Sequence, residues 1–377
     1  QLALFVLAPQ FLLDRLHLFV QVVFFLRPLH LALHAPLNVA VDLDLFDFDF
    51  NDLVDFFFIL PSPPPGEEGR WRGPQASSFL TDLQLLYRFH VGGMLNDYLL
   101  SAILGIIEGV TEFLPISSTA HLRIAEAWLN VSLSSGYWKM YTIVIQLGAI
   151  LCLPVYFRGR IRKLLSTFHS GGEGSRSIVR HPLALVMVAF VVTAIPSFLL
   201  SKLIGKNLEN LRIMGYALVI GGVVMWIVDR WARSRTMHME DMTLGQALWI
   251  GACQILAAVF PGTSRSMSTI AGGQLAGMSR AAALEFSFFL SIPTMAAATG
   301  YDLLRSVFGK GENHIGVSGI DTHGWIVLAI GLLVSFLVAY GSVAWLMGWV
   351  RSRGFVPFAI YRIVFGAVVL IYALRLP

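Results

Sequence analysis

Charge is scarce in this sequence. Asp, Glu, Lys and Arg make up 13% of its 377 residues and hydrophobic residues 56%. A soluble globular domain carries about 25% charge and about 45–50% apolar residues. The deficit argues against a soluble enzyme, a disordered protein and a nucleic-acid binder. A modest basic excess does not rescue the last of these. The Lys and Arg residues lie between apolar runs, as topology signals do, and not in a phosphate-tracking patch. Cysteine is nearly absent too. Cys152 and Cys253 fall in apolar stretches with neither metal-ligand spacing nor a disulfide framework, and read as small buried hydrophobes.

Two residue types are missing from one part of the chain only. Residues 1–93 contain no Met and no Lys, a single Ile (Ile59), yet 13 of the 27 Phe. Their 5 Arg against 10 acidic residues give a net charge of −5, whereas the remainder carries +9. The stretch is low in complexity, from Asp42 to Phe50 and again from Pro61 to Pro65. Its apolar start lacks a basic n-region and is interrupted by Asp14, Arg15 and His17, so it does not read as a signal peptide. The expectation is that 1–93 is a non-native or disordered upstream extension without function. Met94 is then the natural start, and 94–377 one membrane domain with halves of about 94–230 and 240–377.

What is present from Met94 onward is a series of long apolar segments separated by short basic loops. A helix needs about 20 apolar residues to cross a bilayer. Spans are expected near 137–157, 182–201, 213–230, 281–304, 325–350 and 356–375. Two further segments, 98–129 and 244–279, are apolar but broken at Pro115 and Pro261, each followed by a Ser/Thr-rich run. A helix does not continue smoothly through such chemistry. Non-helical backbone at membrane depth is tolerated only inside protein or beside a wet cavity. Both segments are therefore expected to be re-entrant helix pairs. Loops carrying Arg158 to Arg180, Arg230 to Arg235, and Arg351 with Arg353 are placed inside by their charge, although the margin is modest. The first broken segment then opens to the outer face.

The broken segments also align with each other at an offset of 146. Gly105 meets Gly251, Glu108 meets Gln254, Pro115 meets Pro261 and Ser118 meets Ser264. Each half holds one broken segment and three spans, an odd number of crossings, so the halves are expected to be inverted repeats with their site at the repeat interface.

The few polar residues in these segments are the candidates for chemistry. Glu108 and Glu112 lie four apart on one helix face, where an acidic residue costs at least about 2.5–3.5 kcal/mol. Such a pair can hold a hard cation, or repel until one carboxyl becomes an acid or base. Ser117, Ser118, Thr119 and His121 follow Pro115. Hydroxyls and N–H groups at a helix start form an anion site, and a Ser near a carboxylate or imidazole can be a nucleophile. Simple N-capping is the plainer use of such residues. Arg265, flanked by Ser264 and Ser266, is the one charge between Asp241 and Arg280 and suits a bidentate grip on phosphate. A structural pairing with a buried Glu is its other reading. Together these groups suit phosphoryl transfer on an amphiphile. Gln146 and Glu285 are expected to bond to the core or the site, Arg123 and Glu126 to each other. Trp325, Trp345 and Trp349 look like interface anchors.

The run Glu108-Gly-Val-Thr-Glu-Phe-Leu-Pro-Ile-Ser-Ser-Thr-Ala-His121 and the run Pro261-Gly-Thr-Ser-Arg-Ser266 closely resemble the two signatures of the undecaprenyl-diphosphate phosphatase family, the bacitracin-resistance type. Val144–Gly148, Glu285–Phe288 and Pro357–Arg362 agree as well. The resemblance spans 94–377 and none of 1–93. It implies an all-α integral membrane protein with six transmembrane helices and two re-entrant pairs, in the bacterial inner membrane. It implies hydrolysis of undecaprenyl diphosphate to the monophosphate carrier for cell-wall synthesis, with a divalent cation, Mg²⁺ or Ca²⁺, required. By position Glu112 would be the essential carboxylate and Glu108 its companion, both also candidate metal ligands. Ser118 would be the nucleophile and His121 its partner. Arg265 would clamp the diphosphate, with Ser264, Ser266, Thr269, Ser117 and Thr119 around it. Ala120 departs from the Gly more usual in the family. Attack by metal-activated water is the alternative to Ser118, and a lipid-carrier flippase the alternative function. The oligomeric state, a homodimer included, stays open.

Overall fold

The structure, a computed structural model, describes residues 97–129, 131, 136–169, 178–201, 204, 210–232, 235–308 and 320–375. The start at Met94 and the extension 1–93 lie outside them. The described chain is helical: α1 Asp97–Thr111, α2 Ser118–Trp128, α3 Gly136–Tyr156, α4 Arg158–His169, α5 Pro182–Leu199, α6 Leu211–Trp231, α7 Leu244–Val259, α8 Arg265–Leu275, α9 Arg280–Phe308, α10 Thr322–Arg353 and α11 Val356–Arg375.

Six of these helices, α3, α5, α6, α9, α10 and α11, are long and apolar enough to cross a membrane. They match the six expected spans, because a long apolar stretch has no other way to satisfy its backbone in lipid, even where α3, α5 and α9 each carry an internal proline, Pro154, Pro196 and Pro293. Their starts are capped locally. The Asn210 side chain accepts from the N–H groups of Arg212 and Ile213 at α6, Asp321 accepts from Gly324 at α10, and Thr243 with Gln246 forms a capping box at α7. The two broken segments each fold as a helix, a turn and a second helix, α1–α2 and α7–α8. One segment differs from the sequence reading. The basic stretch after residue 157 is not wholly loop: Arg158, Arg160, Arg162 and Lys163 sit on α4. High charge density masks that helix in a hydropathy pattern.

Packing follows close backbone approach. Helix α10 runs along α1 and α3, α11 along α6, and α7 along α5. A Cβ added at Gly109 would lie 2.7 Å from the Ser335 carbonyl oxygen, and one at Gly251 would lie 2.6 Å from that of Ala189. Small residues that let backbones meet are how helices associate in lipid, where burial of apolar surface gives little drive. Hydroxyls reinforce the same seams. Thr193 donates to the Gly251 carbonyl at 2.8 Å, Ser335 to that of Ile145 at 2.7 Å, and Ser101 to that of Val327 at 2.7 Å. Phe198, Leu199, Ile220, Ile227 and Leu374 remain exposed, the belt expected of a lipid-facing surface. Trp325 lies at the start of α10, with Trp345 and Trp349 near its end. The tryptophans thus sit at opposite ends of one span.

Candidate active site

The site is built where the two broken segments meet. Helix α1 carries Glu108 and ends at Thr111, and Glu112 follows with its N–H still bonded to the Glu108 carbonyl at 2.9 Å. The chain then turns through Pro115 to Ser117, the residue before α2. In the second segment it turns through Pro261, Gly262 and Thr263 to Ser264, the residue before α8. Ser117 (φ 76°) and Ser264 (φ 69°) are both left-handed, as is Gly262 (φ 91°). Non-glycine residues held there cost about 1–3 kcal/mol and cluster at functional sites. Gly262 has a second constraint, since a Cβ would meet the Met214 backbone of α6 at 2.6–2.8 Å.

The two turns differ in length. Six residues, 112–117, lie between the helices of the first segment and five, 260–264, between those of the second, so the left-handed Ser264 takes the place before its helix that Ser117 takes, whereas the fixed offset of 146 pairs it with Ser118. Ser118 and Arg265 are the first residues of α2 and α8. Both reach the same carboxylate. The Ser118 hydroxyl donates to Glu112 Oε2 at 2.6 Å, and Arg265 Nη2 donates to Glu112 Oε1 at 2.9 Å. Glu112 is buried, with 8% exposure, so this triangle lies in the interior.

Two groups in it are left incomplete. Arg265 Nη1 is buried and donates to no group. Both carboxyl oxygens of Glu108 are buried and accept from no N–H or O–H donor of the described residues, and the fully enclosed side chain lies against the Glu112 carboxyl. An unpaired buried donor or carboxylate is costly, and persists where something else is meant to fill it.

The remaining candidates divide. Ser266 faces the triangle's frame: it donates to the Leu114 carbonyl at 3.2 Å, tying α8 to the first turn, and lies 3.2 Å from the Ser264 hydroxyl. Ser264 accepts from the Met267 N–H as a cap. Thr269 points away, bonded to Ser287 of α9 at 2.7 Å and to its own helix backbone. Ser117 contributes its carbonyl, and Thr119 is half-buried on α2. His121 is engaged elsewhere. Its Nδ1 bonds the Ser117 carbonyl at 2.7 Å and its Nε2 the Tyr361 hydroxyl at 2.7 Å. A carbonyl only accepts, so Nδ1 carries the proton and Nε2 accepts from Tyr361. Ser118 is bonded to Glu112 and not to His121. Glu285 pairs with Arg160 at 2.8 Å, away from the triangle, and Arg123 pairs with Glu126 at 3.5 Å.

One residue escaped the sequence reading. Arg362 of α11 is completely buried. Its Nη1 donates to the Pro115 carbonyl at 3.2 Å. Its Nη2 donates to those of Ala217, Gly262 and Thr263 at 3.1, 3.1 and 2.9 Å. A single guanidinium thus ties both turns to each other and to α6. The signal was there: a charge inside an apolar span is functional by default, and Arg362 lies six residues into one.

Fold and site define a class: a multi-pass helical membrane protein that gathers a carboxylate, a hydroxyl and a guanidinium in its apolar interior. The family model for the bacitracin resistance protein BacA matches residues 101–368. The undecaprenyl-diphosphatase of Koribacter versatilis is 62% identical over 285 residues, 74% of this chain and 100% of that protein. The proteins of the same name from Rhizobium etli (strain CIAT 652) and Deinococcus radiodurans are 43% and 37% identical, covering 73% and 74% of this chain and 96% of theirs. The chain belongs to the BacA family.

Proposed function

We propose that this protein is an undecaprenyl-diphosphatase. It hydrolyses undecaprenyl diphosphate to undecaprenyl phosphate and inorganic phosphate, and so recycles the lipid carrier of cell-wall synthesis. The observation that carries the reading to particular residues is the Ser118–Glu112–Arg265 triangle, with the idle Nη1 of Arg265 beside it.

The chemistry follows from those contacts. Arg265 Nη1 takes a terminal phosphate oxygen while Nη2 keeps Glu112 in place, which suits the forked geometry of a guanidinium. Ser118 Oγ attacks the terminal phosphorus, and its proton passes to Glu112, already its hydrogen-bond acceptor. The bond from that phosphorus to the bridging oxygen breaks. Undecaprenyl phosphate leaves with the electron pair and takes the proton from Glu112. Water then attacks the phosphoserine and gives its proton to Glu112, which returns it to Ser118 Oγ as inorganic phosphate leaves. His121, with Tyr361, holds the Ser117 carbonyl and so the start of α2. It acts as a positioning residue.

A divalent cation fits the donors present. Glu108 offers two hard oxygens that no described N–H or O–H donor fills, set against the Glu112 carboxyl. Among the described residues no three His, Cys, Asp or Glu side chains cluster, so substrate oxygens and water would complete the shell, as Mg²⁺ commonly requires. When bound, the cation would draw charge from the phosphate oxygens.

The architecture we propose is two re-entrant pairs, α1–α2 and α7–α8, in inverted repeats. Reciprocal packing supports this: α1 of the first half lies on α10 of the second, and α7 of the second lies on α5 of the first. The protein resides in the bacterial inner membrane with the site facing outward. The second turn meets α6 at Met214, and Arg362, which bonds both turns, reaches it at Ala217, near its start, whereas Arg230 lies at its other end.

The test is phosphate release from undecaprenyl diphosphate in detergent micelles. Glu112→Gln and Ser118→Ala should each lose at least about 100-fold in rate, the usual scale for a base or nucleophile, and quenched wild-type reactions should contain phosphoserine at position 118. A Ser118→Ala protein that keeps most of its rate overturns the serine mechanism. Absence of release from wild type overturns the function.

A further inference from the structure

At the far end of the bundle a cleft of about 430 Å³ is lined by Trp226, Arg230, Arg280, Ser352, Arg353 and Val356. Three of its six residues are arginines. The cleft opens between the end of α6, the start of α9, and the turn from α10 into α11. Along α6, Arg230 lies 13 residues from Ala217, which at 1.5 Å per residue puts the cleft about 20 Å from the two turns. It is separate from the site described above.

The cleft has a rigid back wall. Asp229 is completely buried and accepts four hydrogen bonds through its carboxylate. Two come from Arg280, at 2.7 Å each, one from Gln274 at 3.1 Å, and one from the Phe355 N–H at 3.1 Å. Phe355 reaches it because Gly354 turns the chain at φ 74°. A Cβ there would lie 2.5 Å from the Arg280 guanidinium carbon and 2.8 Å from Asp229. One acidic group is therefore consumed holding one arginine, and the other two keep their charge. Arg230 forms no ion pair with a described residue. Arg353 lies 4.9 Å over the Trp349 ring and likewise has no carboxylate partner among the described residues. The first residues of α9 and α11, Arg280 and Val356, add two helix N-termini, which favour an anion. Trp226 and Val356 give the cleft an apolar side, and the exposed apolar flank of α6 (Val223, Val224, Ile227) continues from it.

We propose that this cleft binds a phosphate-bearing anion, and that its occupant is the headgroup of an anionic phospholipid. Unpaired arginines at the ends of membrane helices, beside an apolar flank, suit a lipid phosphate with its acyl chains against α6. Basic pockets between membrane helices recognise such headgroups.

The test is native mass spectrometry of the full-length protein titrated separately with phosphatidylglycerol, phosphatidylcholine and inorganic phosphate. Wild type should retain phosphatidylglycerol at about tenfold lower concentration than phosphatidylcholine, an energy within reach of one or two charge-assisted contacts. Arg230→Gln with Arg353→Gln should abolish that preference, and the paired Lys substitutions should keep part of it. Arg158→Gln with Arg162→Gln removes the same charge from α4, next to Glu240 and Glu285 through Arg160, and should leave the preference intact. Equal phosphatidylglycerol retention in wild type and the cleft variant overturns the proposal. So does an equal loss from the α4 variant, which would show only generic attraction of a basic surface. Displacement of the lipid by millimolar phosphate in wild type, but not in the cleft variant, supports the anion site and names free phosphate as its occupant.

Discussion

Replacing Arg362 by Met separates the assembly of the site from its chemistry, because Arg362 touches both turns and none of the three groups of the triangle. Each charge-assisted hydrogen bond to a carbonyl contributes about 1.5–3 kcal/mol, and a buried carbonyl left bare costs about 1–3 kcal/mol. Four carbonyls lose their donor, so the local penalty is several kcal/mol. Removing the guanidinium also removes the desolvation of a buried charge that has no carboxylate beside it, again several kcal/mol. The two largely offset in global stability. They do not offset in geometry, since the turns lose the only group that bonds both through their carbonyls among the described residues. A displacement of about 1 Å in reacting groups costs about 100-fold. We therefore expect Arg362→Met to lose about 100-fold or more in phosphate release, with a Tm shift below about 5 °C. Arg362→Lys, which keeps a charge and three donors, should recover part of the rate. A second perturbation leaves Arg362 in place. A Cβ at Gly221 would collide with Nη2 of Arg362, so Gly221→Ala should push the guanidinium off its carbonyls and reproduce the loss. The assays are phosphate release and thermal unfolding in the same detergent. Wild-type rates from both Arg362→Met and Gly221→Ala would refute the reasoning.

Other consequences concern the frame. Asp229→Ala strands Arg280 and the Phe355 N–H. Since Arg280 is 21% exposed, the destabilisation should fall near the lower end of the range for a broken buried pair, about 3 kcal/mol, seen as a Tm fall of several degrees; no fall would contradict it. Gly109→Val should separate α1 from α10, because even a Cβ meets Ser335 at 2.7 Å, and the variant should be recovered from membranes in much lower yield than wild type. Glu240, outside the spans, is raised by partial burial, but the Arg160 guanidinium outweighs this and holds it below the usual 4.5. A depressed carboxyl stabilises the fold above its unfolded pKa and loses that contribution as pH falls through the folded one. Wild type should thus lose thermal stability on acidification below about pH 4.5 more steeply than Glu240→Gln. Parallel curves would remove Glu240 from the account.

The spans were legible because lipid leaves an apolar stretch one outcome, and Pro115 and Pro261 marked the two breaks for the same reason. Glu108, Glu112 and Arg265 stood out as charges where charge is expensive. The sequence reading could not register that the two turns differ in length. A fixed offset aligns prolines, whereas the left-handed φ falls on Ser117 and Ser264. Nor could it choose a partner for His121, since Tyr361 lies 240 residues away and either ring nitrogen could have faced Ser118. Helix α4 was hidden by its own arginines. Arg362 was missed differently: it was read as part of a familiar stretch and not weighed as a buried charge.

Helix α11 also has a place in time. A membrane protein is made from its N-terminus, and Glu112, Ser118 and Arg265 enter the bilayer well before residue 362. Until α11 docks, no described side chain bonds the carbonyls of both turns, and a nascent chain holds the reactive groups without the guanidinium that aligns them. Docking of α11 and onset of activity then coincide. A truncated or stalled product with every residue of the triangle intact would sit in the membrane as an inert bystander, leaving the carrier lipid untouched.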